Sequence, residues 1–247
     1  MTGGDVSDLE LLEVEIETLW PMDEHERITT GPDLVIASAP SGSTAAVGSA
    51  VSNQLAAELK ARVRQSRSET VSGSPPPVLE HCRRLLEAEL GPVELMPASG
   101  PSYLIPDSIA FPAAVRLVRS NEPDIAALRD ANPGNWEAEE WQDLLDGRLG
   151  PWVMALDHGL VIAICHTPRS GARGAEAGVW TRPGFRGRGH AAAVTAAWAA
   201  LVRPDGRRLF YSAARTNLSS QRVAARLGLR PLGWLWQLAR RIDGDRG

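Results

Sequence analysis

Cysteine is almost absent from this sequence. Its two cysteines, Cys82 and Cys165, are far apart and belong to no CxxC or Cys/His ligand pattern. Their spacing excludes a disulfide framework and argues against a structural zinc site, so we expect no metal. Two isolated thiols in a chain of 247 residues are typical of a reducing compartment, where cysteine behaves as a small buried apolar residue.

Long apolar segments are absent as well. No run of about eighteen apolar residues is present that could span a bilayer. Residues 1–15 carry acids from Asp5 onward and lack the basic, apolar pattern of a signal peptide. The net charge of −4 provides no overall field that would attract nucleic acid or an anionic membrane. We therefore expect a folded cytoplasmic protein that binds neither.

The first 112 residues predict a small α/β domain. Residues 33–39 are a short apolar strand candidate that Pro40 and Gly42 close. Apolar residues then recur every four positions from Val47 to Val63, which is the stripe of a helix that Ser41 or Ser43 could cap. The pattern continues with a loop at 70–77, a helix at 78–89 that ends at Gly91, and short strands at 92–96 and 103–105.

Residues 113–247 predict a second α/β domain with the order β-α-α-β-β-β-α-β-α-β. Its strands are predicted at residues 113–118, 152–156, 160–165, 176–181, 208–213 and 233–238. Its helices are predicted at residues 121–131, 137–144, 190–202 and 219–227. The fold class is therefore α/β, with a mixed sheet. His158 in the hairpin turn and His166 after a strand are expected at the surface.

The most informative segment, residues 181–192, reads Thr-Arg-Pro-Gly-Phe-Arg-Gly-Arg-Gly-His-Ala-Ala. A strand ends there, and two glycines lead into a helix of small residues. The first N–H groups of a helix have no internal partner, and the helix dipole adds positive potential at that end. Glycine allows these groups to approach an anion closely, so a phosphate or pyrophosphate is the expected ligand.

Two other interpretations of this segment remain open. The spacing of Gly187, Gly189 and Ala192 satisfies the dinucleotide fingerprint GxGxxG/A, but no carboxylate ends the next strand and little chain follows. The segment could also be a solvated basic turn, with Arg186 and Arg188 in water.

Two motifs in this half resemble those of the GNAT superfamily of N-acetyltransferases. Arg186-x-x-Gly189-x-Ala191 is similar to its signature Arg/Gln-x-x-Gly-x-Gly/Ala, and Asn217 begins a segment similar to its N-x-x-S-x-x-(hydrophobic)-A-x-x-x-G-(F/L) pattern. The resemblance covers about residues 113–240. The sequence E-A-G-V-x-T at 176–181 further resembles a bacterial subgroup of the superfamily.

The resemblance implies a GNAT acyltransferase fold and acetyl-CoA as the acyl donor. In the family, the fourth and fifth strands splay apart and the pantetheine arm pairs with the fourth. By resemblance, backbone groups of that strand and the loop after it bind the coenzyme, with a contact from the asparagine after the fifth strand. These cofactor-binding residues would be Val179, Trp180, Thr181, Arg186, Gly187, Arg188, Gly189, His190, Ala191, Ala192 and Asn217. Trp180 points away from its strand neighbours, and Asn217 could equally cap the following helix.

The resemblance further implies transfer of the acetyl group to an amine, by direct attack of the amine on the thioester. Glu176 is the candidate general base, since some family members use a glutamate on this strand, and a structural pairing with an arginine is the alternative. The tyrosine that often acts as general acid in the family would fall near Val223 or Ala224, which are both aliphatic. Tyr211 could substitute as the acid, but its strand position favours a place in the core.

Two questions stay open at this stage. The missing tyrosine and the added N-terminal domain also fit a catalytically silent acyl-CoA-binding or sensory module. The N-terminal domain could be a degenerate second acetyltransferase half, an element of a homodimer or a lid over the acceptor. It contains no Arg/Gln-x-x-Gly-x-Gly/Ala loop, so we expect no second coenzyme site there.

Overall fold

The computed structural model describes residues 6–66, 73–123 and 125–241. The described chain divides into two compact units. Unit 1 consists of the described parts of Met1–Ser102, Ser212–Asn217 and Pro231–Gly247, and unit 2 consists of Tyr103–Tyr211 and Leu218–Arg230. The boundary after residue 112 between two domains stays a prediction. No helix in the described ranges combines the length and apolar character needed to cross a membrane.

Unit 1 contains three helices and most of five strands within the described residues. These are α1 (Asp8–Leu19), β1 (Arg27–Ile28), β2 (Leu34–Ala39), β3 (Gly42–Gly48), α2 (Asn53–Gln65), α3 (Val78–Leu90), β4 (Leu95–Leu104) and β10 (Arg230–Arg240). Their strand order is β1-β3-β2-β10-β4. The strand β2 pairs antiparallel with both β3 and β10.

The helical stripe predicted from Val47 begins in a strand. Val47 lies in β3, and α2 starts at Asn53 with Ser52 as its cap, so the predicted caps Ser41 and Ser43 are wrong. The Ser43 hydroxyl instead donates to Ser38 Oγ at 3.1 Å. A spacing of four residues satisfies the twofold period of a strand as well as the 3.6-residue period of a helix, so the pattern could not separate them.

Other parts of unit 1 also differ from the prediction. The two short strands expected at 92–96 and 103–105 are one strand, β4, and the helix α1 was not predicted. The predicted helix at 78–89 is confirmed as α3, with Gly91 as its C-cap at a φ of 82°. Residues 70–72 of the predicted loop lie outside the described residues.

Unit 2 contains the second set of elements. These are β5 (Arg116–Arg119), α4 (Ala138–Leu145), β6 (Trp152–Asp157), β7 (Leu160–Ser170), β8 (Gly174–Thr181), α5 (His190–Val202), β9 (Arg208–Ser212, its last residue counted in unit 1) and α6 (Leu218–Leu227). The strand order is β9-β8-β7-β6-β5. Among the described strand pairs of unit 2, β8 and β9 are parallel and the others antiparallel, so the predicted α/β class with a mixed sheet is confirmed.

One predicted helix of unit 2 is wrong. Residues 121–131 contain only a single 3₁₀ turn, Ala126–Leu128, in the part of this segment that the structure describes. Pro123 disfavours a helical conformation in the residue before it and removes one hydrogen-bond donor. The predicted helix at 190–202 is α5 with the same bounds.

The sheet of unit 2 is buried on both faces. On one face, Val153 and Ala163 pack with Trp198 of α5. On the other face, Met154 and Ile164 pack with Trp141 of α4. The strand β8 lies between β7 and β9 in this sheet, and its side chains alternate between the two buried faces.

Candidate acyl-donor and acceptor site

The strand β8 is paired along its whole length on one edge only. Its antiparallel pairing with β7 continues to Thr181, opposite Ala163. The parallel pairing with β9 has three residue pairs and ends at Glu176 opposite Phe210. Among the residues the structure describes, positions 177–181 of β8 have no partner in β9, so this edge offers main-chain donors and acceptors to an extended ligand.

Side chains along β8 alternate between the two faces of the sheet. Ala177 and Val179 belong to the core cluster on the α5 face. Trp180 packs against the opposite cluster, which contains Trp141 of α4. The prediction that Trp180 points away from Val179 agrees with this placement. Glu176 shares the face of Trp180, since the two positions differ by four residues and the extra residue of the β7–β8 bulge lies in β7.

The chain leaves β8 through a turn built on two glycines. After the 3₁₀ turn Pro183–Phe185, Gly187 has a φ of 79° and Gly189 a φ of 90°, a region that favours glycine. A Cβ on Gly187 would meet nothing within 4 Å. A Cβ on Gly189 would lie 3.1 Å from Cε1 of Phe111, so Gly189 also provides space.

The start of α5 presents a continuous row of main-chain donors. Gly189 is the N-cap, and no side chain caps the helix. The first N–H of this helix with a main-chain acceptor is that of Ala193, which donates to the Gly189 carbonyl at 3.0 Å. Within the described ranges, the six N–H groups of residues 187–192 donate to no acceptor. Together with the positive end of the helix dipole they form an anion site.

Arginine side chains add positive charge to this row of donors. Arg186 donates from Nε to the Thr181 carbonyl at 3.2 Å, which holds it beside the end of β8. The Arg188 guanidinium lies 5.2 Å from the ring centroid of Phe185. Both arginines are exposed, so their charges are available to a ligand at moderate ionic strength.

Two residues beside this turn are not among the predicted cofactor-binding residues. Phe111 lies against Gly189, and the Arg226 guanidinium lies 5.8 Å from the Phe111 ring centroid. Phe111 stands about 80 positions before the loop, where no motif marks it, but the four-residue spacing of Arg222, Arg226 and Arg230 was a usable signal for a basic helix face. The ring of His190 is buried and lies 6.3 Å from Phe185, so its side chain supports the turn.

Glu176 lies at the point where the β8–β9 pairing ends. Its side chain is 5% exposed. Burial raises the pKa of the Cys165 thiol well above its ordinary range, a hydrogen bond from Thr195 opposes this, and the charge of Glu176 adds to the rise. The same charge contributes to the raised pKa of Tyr211. The Glu176 carboxylate is therefore close to the position where β8 and β9 separate.

Tyr211 occupies a core position of unit 2. It is 2% exposed and its ring contacts Tyr103 edge to face at 6.5 Å between centroids. Burial raises its pKa to about 12, although a hydrogen bond with Ser220 lowers it somewhat. The phenol therefore keeps its proton at neutral pH. The positions where the family's tyrosine would fall are apolar and packed, with Ala224 fully buried.

Asn217 directly precedes α6, in the N-cap position. Its backbone N–H donates to the Ala214 carbonyl at 2.9 Å. Asn217 is counted in unit 1 and the glycine turn in unit 2, so a contact of Asn217 with the acyl donor stays a prediction. In the described ranges, no group of three or more His, Cys, Asp or Glu side chains could hold a metal ion.

Comparison with known proteins identifies the domain that carries these features. Residues 113–230 match the model of the acetyltransferase (GNAT) domain family. This range contains β8, the glycine turn, α5 and α6. No curated protein matches the sequence significantly.

Solved structures from the same family are similar to the chain at low identity. A protein assigned to the GNAT family from Novosphingobium aromaticivorans is 19% identical over 88% of this chain and 92% of its own, with a TM-score of 0.47. A GCN5-related N-acetyltransferase-like protein from Streptococcus suis is 19% identical, with 65% and 68% covered and a TM-score of 0.43. A tandem GNAT protein from the clavulanic acid biosynthesis pathway is 18% identical, with 71% and 62% covered and a TM-score of 0.48. The family assignment rests on the family model, which matches residues 113–230, a little under half of the chain, to the acetyltransferase (GNAT) domain.

Proposed function

We propose that this protein transfers an acetyl group from acetyl-CoA to a primary amine of a small molecule. The observation that carries the proposal is the row of six open N–H groups at residues 187–192, directly after a strand with one unpaired edge. A diphosphate fits the row because its oxygens accept several hydrogen bonds at once and its charge complements the helix dipole. The GNAT family to which the domain belongs uses acetyl-CoA as the donor.

The pantetheine arm would follow the open edge of β8. Amide groups of the arm can pair with main-chain groups of Val179, Trp180 and Thr181 as an added strand would. The exposed Arg186 and Arg188 would hold the outer phosphates. This arrangement would bring the thioester to the divergence of β8 and β9, beside Glu176.

Transfer at this position requires few catalytic groups. The neutral amine attacks the thioester carbonyl carbon, an N–H of β8 near Val179 stabilises the oxyanion, and a base takes the amine proton directly or through water. Glu176 is the candidate base that the family resemblance implies. The coenzyme A thiolate is a good leaving group near neutral pH, so the reaction does not depend on a tyrosine that acts as general acid. Tyr211 remains a weak candidate for that acid.

A catalytically silent acyl-CoA-binding or sensory module is the second candidate. The packed aliphatic residues at 223 and 224 favour it, as does the buried position of Tyr211, because neither place offers an exposed phenol to the thiolate. A cytoplasmic location and a homodimer stay predictions under either function.

The first experiment measures coenzyme A binding by calorimetry and then thiol release from acetyl-CoA with a panel of amines. We expect binding and turnover with at least one amine. Glu176→Gln tests the candidate base that the resemblance implies, because the loss of that base would lower turnover without loss of binding. Absence of binding at millimolar coenzyme A would refute both candidates. Tight binding without turnover on any amine would favour the silent module.

A further inference from the structure

His166 lies on the face of the unit 2 sheet that Glu176 and Trp180 share. It lies in β7 directly opposite Gly178 of β8 and is partly buried, which corrects the expectation of an ordinary surface position. Its Nδ1 is 3.0 Å from the Gly178 carbonyl oxygen. A carbonyl oxygen only accepts, so Nδ1 carries the proton of the neutral ring and Nε2 keeps its lone pair.

The glycine at 178 is required by this ring. A Cβ there would lie 2.7 Å from His166 Cε1 and 2.8 Å from Cγ of Pro168. Such distances are shorter than any ordinary contact, so the imidazole lies over the main chain of Gly178. Because Glu176 and Trp180 flank Gly178 on the same face, the ring lies between their positions.

This part of β8 lies beyond the last pair with β9. The ladder between the two strands ends at Glu176, two residues before Gly178. Under the proposed function, the acyl arm lies along this open edge, so the imidazole over Gly178 would be beside the arm, on the face of the sheet opposite α5.

A neighbouring indole provides an independent sign of a ligand. The Trp136 ring meets the His166 ring edge to face, with 4.9 Å between centroids. The Trp136 Nε1–H is buried and has no acceptor among the residues the structure describes. A buried N–H group without a hydrogen bond costs free energy. An amine substrate that carries an oxygen near its amine could accept this hydrogen bond.

We propose that His166, in place of Glu176, is the catalytic base that takes the proton of the acceptor amine. The inference rests on the proposed function. The amine nitrogen forms a bond to the thioester carbonyl carbon, and its proton moves to Nε2 of His166. The C–S bond breaks with its electron pair on sulfur, which leaves as coenzyme A thiolate. The imidazolium then releases the proton from Nε2 to solvent, while the Nδ1–H stays hydrogen-bonded to the Gly178 carbonyl oxygen.

The test is His166→Asn. Its side-chain amide can keep a donor near the Nδ1 position, whereas the basic Nε2 is lost. We expect kcat to fall by about 100-fold, while the dissociation constant of coenzyme A and the melting temperature stay unchanged. His158→Asn is the matched control at an exposed hairpin turn, where the side chain is 96% exposed. A His166→Asn enzyme within threefold of the wild-type kcat would overturn the proposal.

A second measurement separates this inference from the proposed function. In ¹⁵N NMR of labelled wild-type protein at pH 7, we expect a protonated Nδ1, a bare Nε2, and a shift of the Nε2 resonance when acetyl-CoA is added. A proton on Nε2, or a resonance that acetyl-CoA leaves unmoved, would overturn the role of His166 even without an identified amine. Wild-type protein that binds acetyl-CoA but acetylates no amine would overturn the proposed function instead.

Discussion

The helices α2 and α5 each have 13 residues, but their N-terminal ends differ. At α2, the Ser52 hydroxyl accepts from the Leu55 N–H, and the Glu89 carboxylate accepts from both the N–H and the hydroxyl of Ser52 at 2.7 Å. At α5, Gly189 stands in the cap position and no side chain accepts from the first turn.

The difference shows what each helix end is for. Both ends have the same unsatisfied N–H groups and the same positive dipole before their surroundings are considered. In unit 1 the chain supplies its own anion, Glu89, so that end contributes to stability. In unit 2 the chain supplies glycines and arginines, so the end stays available to an external anion.

The largest expected effect comes from placing a carboxylate at the N-terminal end of α5, as Glu89 does at α2. Gly189→Asp places a carboxylate at the open end, and aspartate tolerates the positive φ of this position better than most residues. We expect the dissociation constant of coenzyme A to rise by roughly 100-fold to 1,000-fold, because like charges in contact cost several kcal/mol. Isothermal titration calorimetry measures it.

Two further variants separate the charge from its side effects. Gly189→Asn has the same shape without the charge and meets the same Phe111 contact, so it should lose much less affinity. Gly159→Asp has the charge and a comparable φ of 82° in a hairpin turn with open space around it. We expect Gly159→Asp to bind coenzyme A with wild-type affinity. If Gly189→Asn lost as much affinity as Gly189→Asp, the electrostatic explanation would be contradicted.

Amide exchange compares the two helix ends directly in the wild-type protein. At coenzyme A concentrations of about 100 times its dissociation constant, about 1% of molecules are free, so exchange at residues 187–192 should slow by about 100-fold. The first turn of α2 should exchange at the same rate with and without ligand. Hydrogen–deuterium exchange with peptide resolution tests both, and equal protection of the two ends would contradict a specific site at α5.

Removing one arginine charge beside the glycine turn should have a smaller effect on coenzyme A affinity. We expect Arg188→Ala to weaken coenzyme A binding by about fivefold at low salt, since an exposed ion pair contributes up to about 1 kcal/mol. The loss should shrink as salt is added, because screening weakens exposed charges. Arg84→Ala, on α3 of unit 1, is the control and should leave affinity unchanged at every salt concentration.

The smallest expected effect is a loss of stability without a loss of binding. Ser52→Ala removes the cap of α2 and should lower the free energy of unfolding by about 1 kcal/mol. Urea denaturation measures the change. Coenzyme A affinity should equal that of the wild type, and a change in affinity would mean that the two ends are not independent.

Local patterns in the sequence predicted part of this architecture correctly. The helix at 190–202 was predicted with its observed bounds, because it follows paired glycines and consists largely of alanine. The hairpin around His158 and Gly159 was predicted from its turn residues, and both have positive φ. The strand at 42–48 was missed because its small residues carry no strong strand signal and its apolar spacing also fits a helix.

The sequence by itself determined the donor row at residues 187–192, because the φ preference of glycine and the unpaired N–H groups of a helix start are local properties. Only the tertiary structure decided where the β8–β9 pairing ends, that Phe111 and Arg226 meet Gly189, and that the His166 ring covers Gly178. These features depend on register and packing between segments that are distant in the chain. No local pattern records such contacts, because each partner is compatible with many other neighbours until the sheet forms.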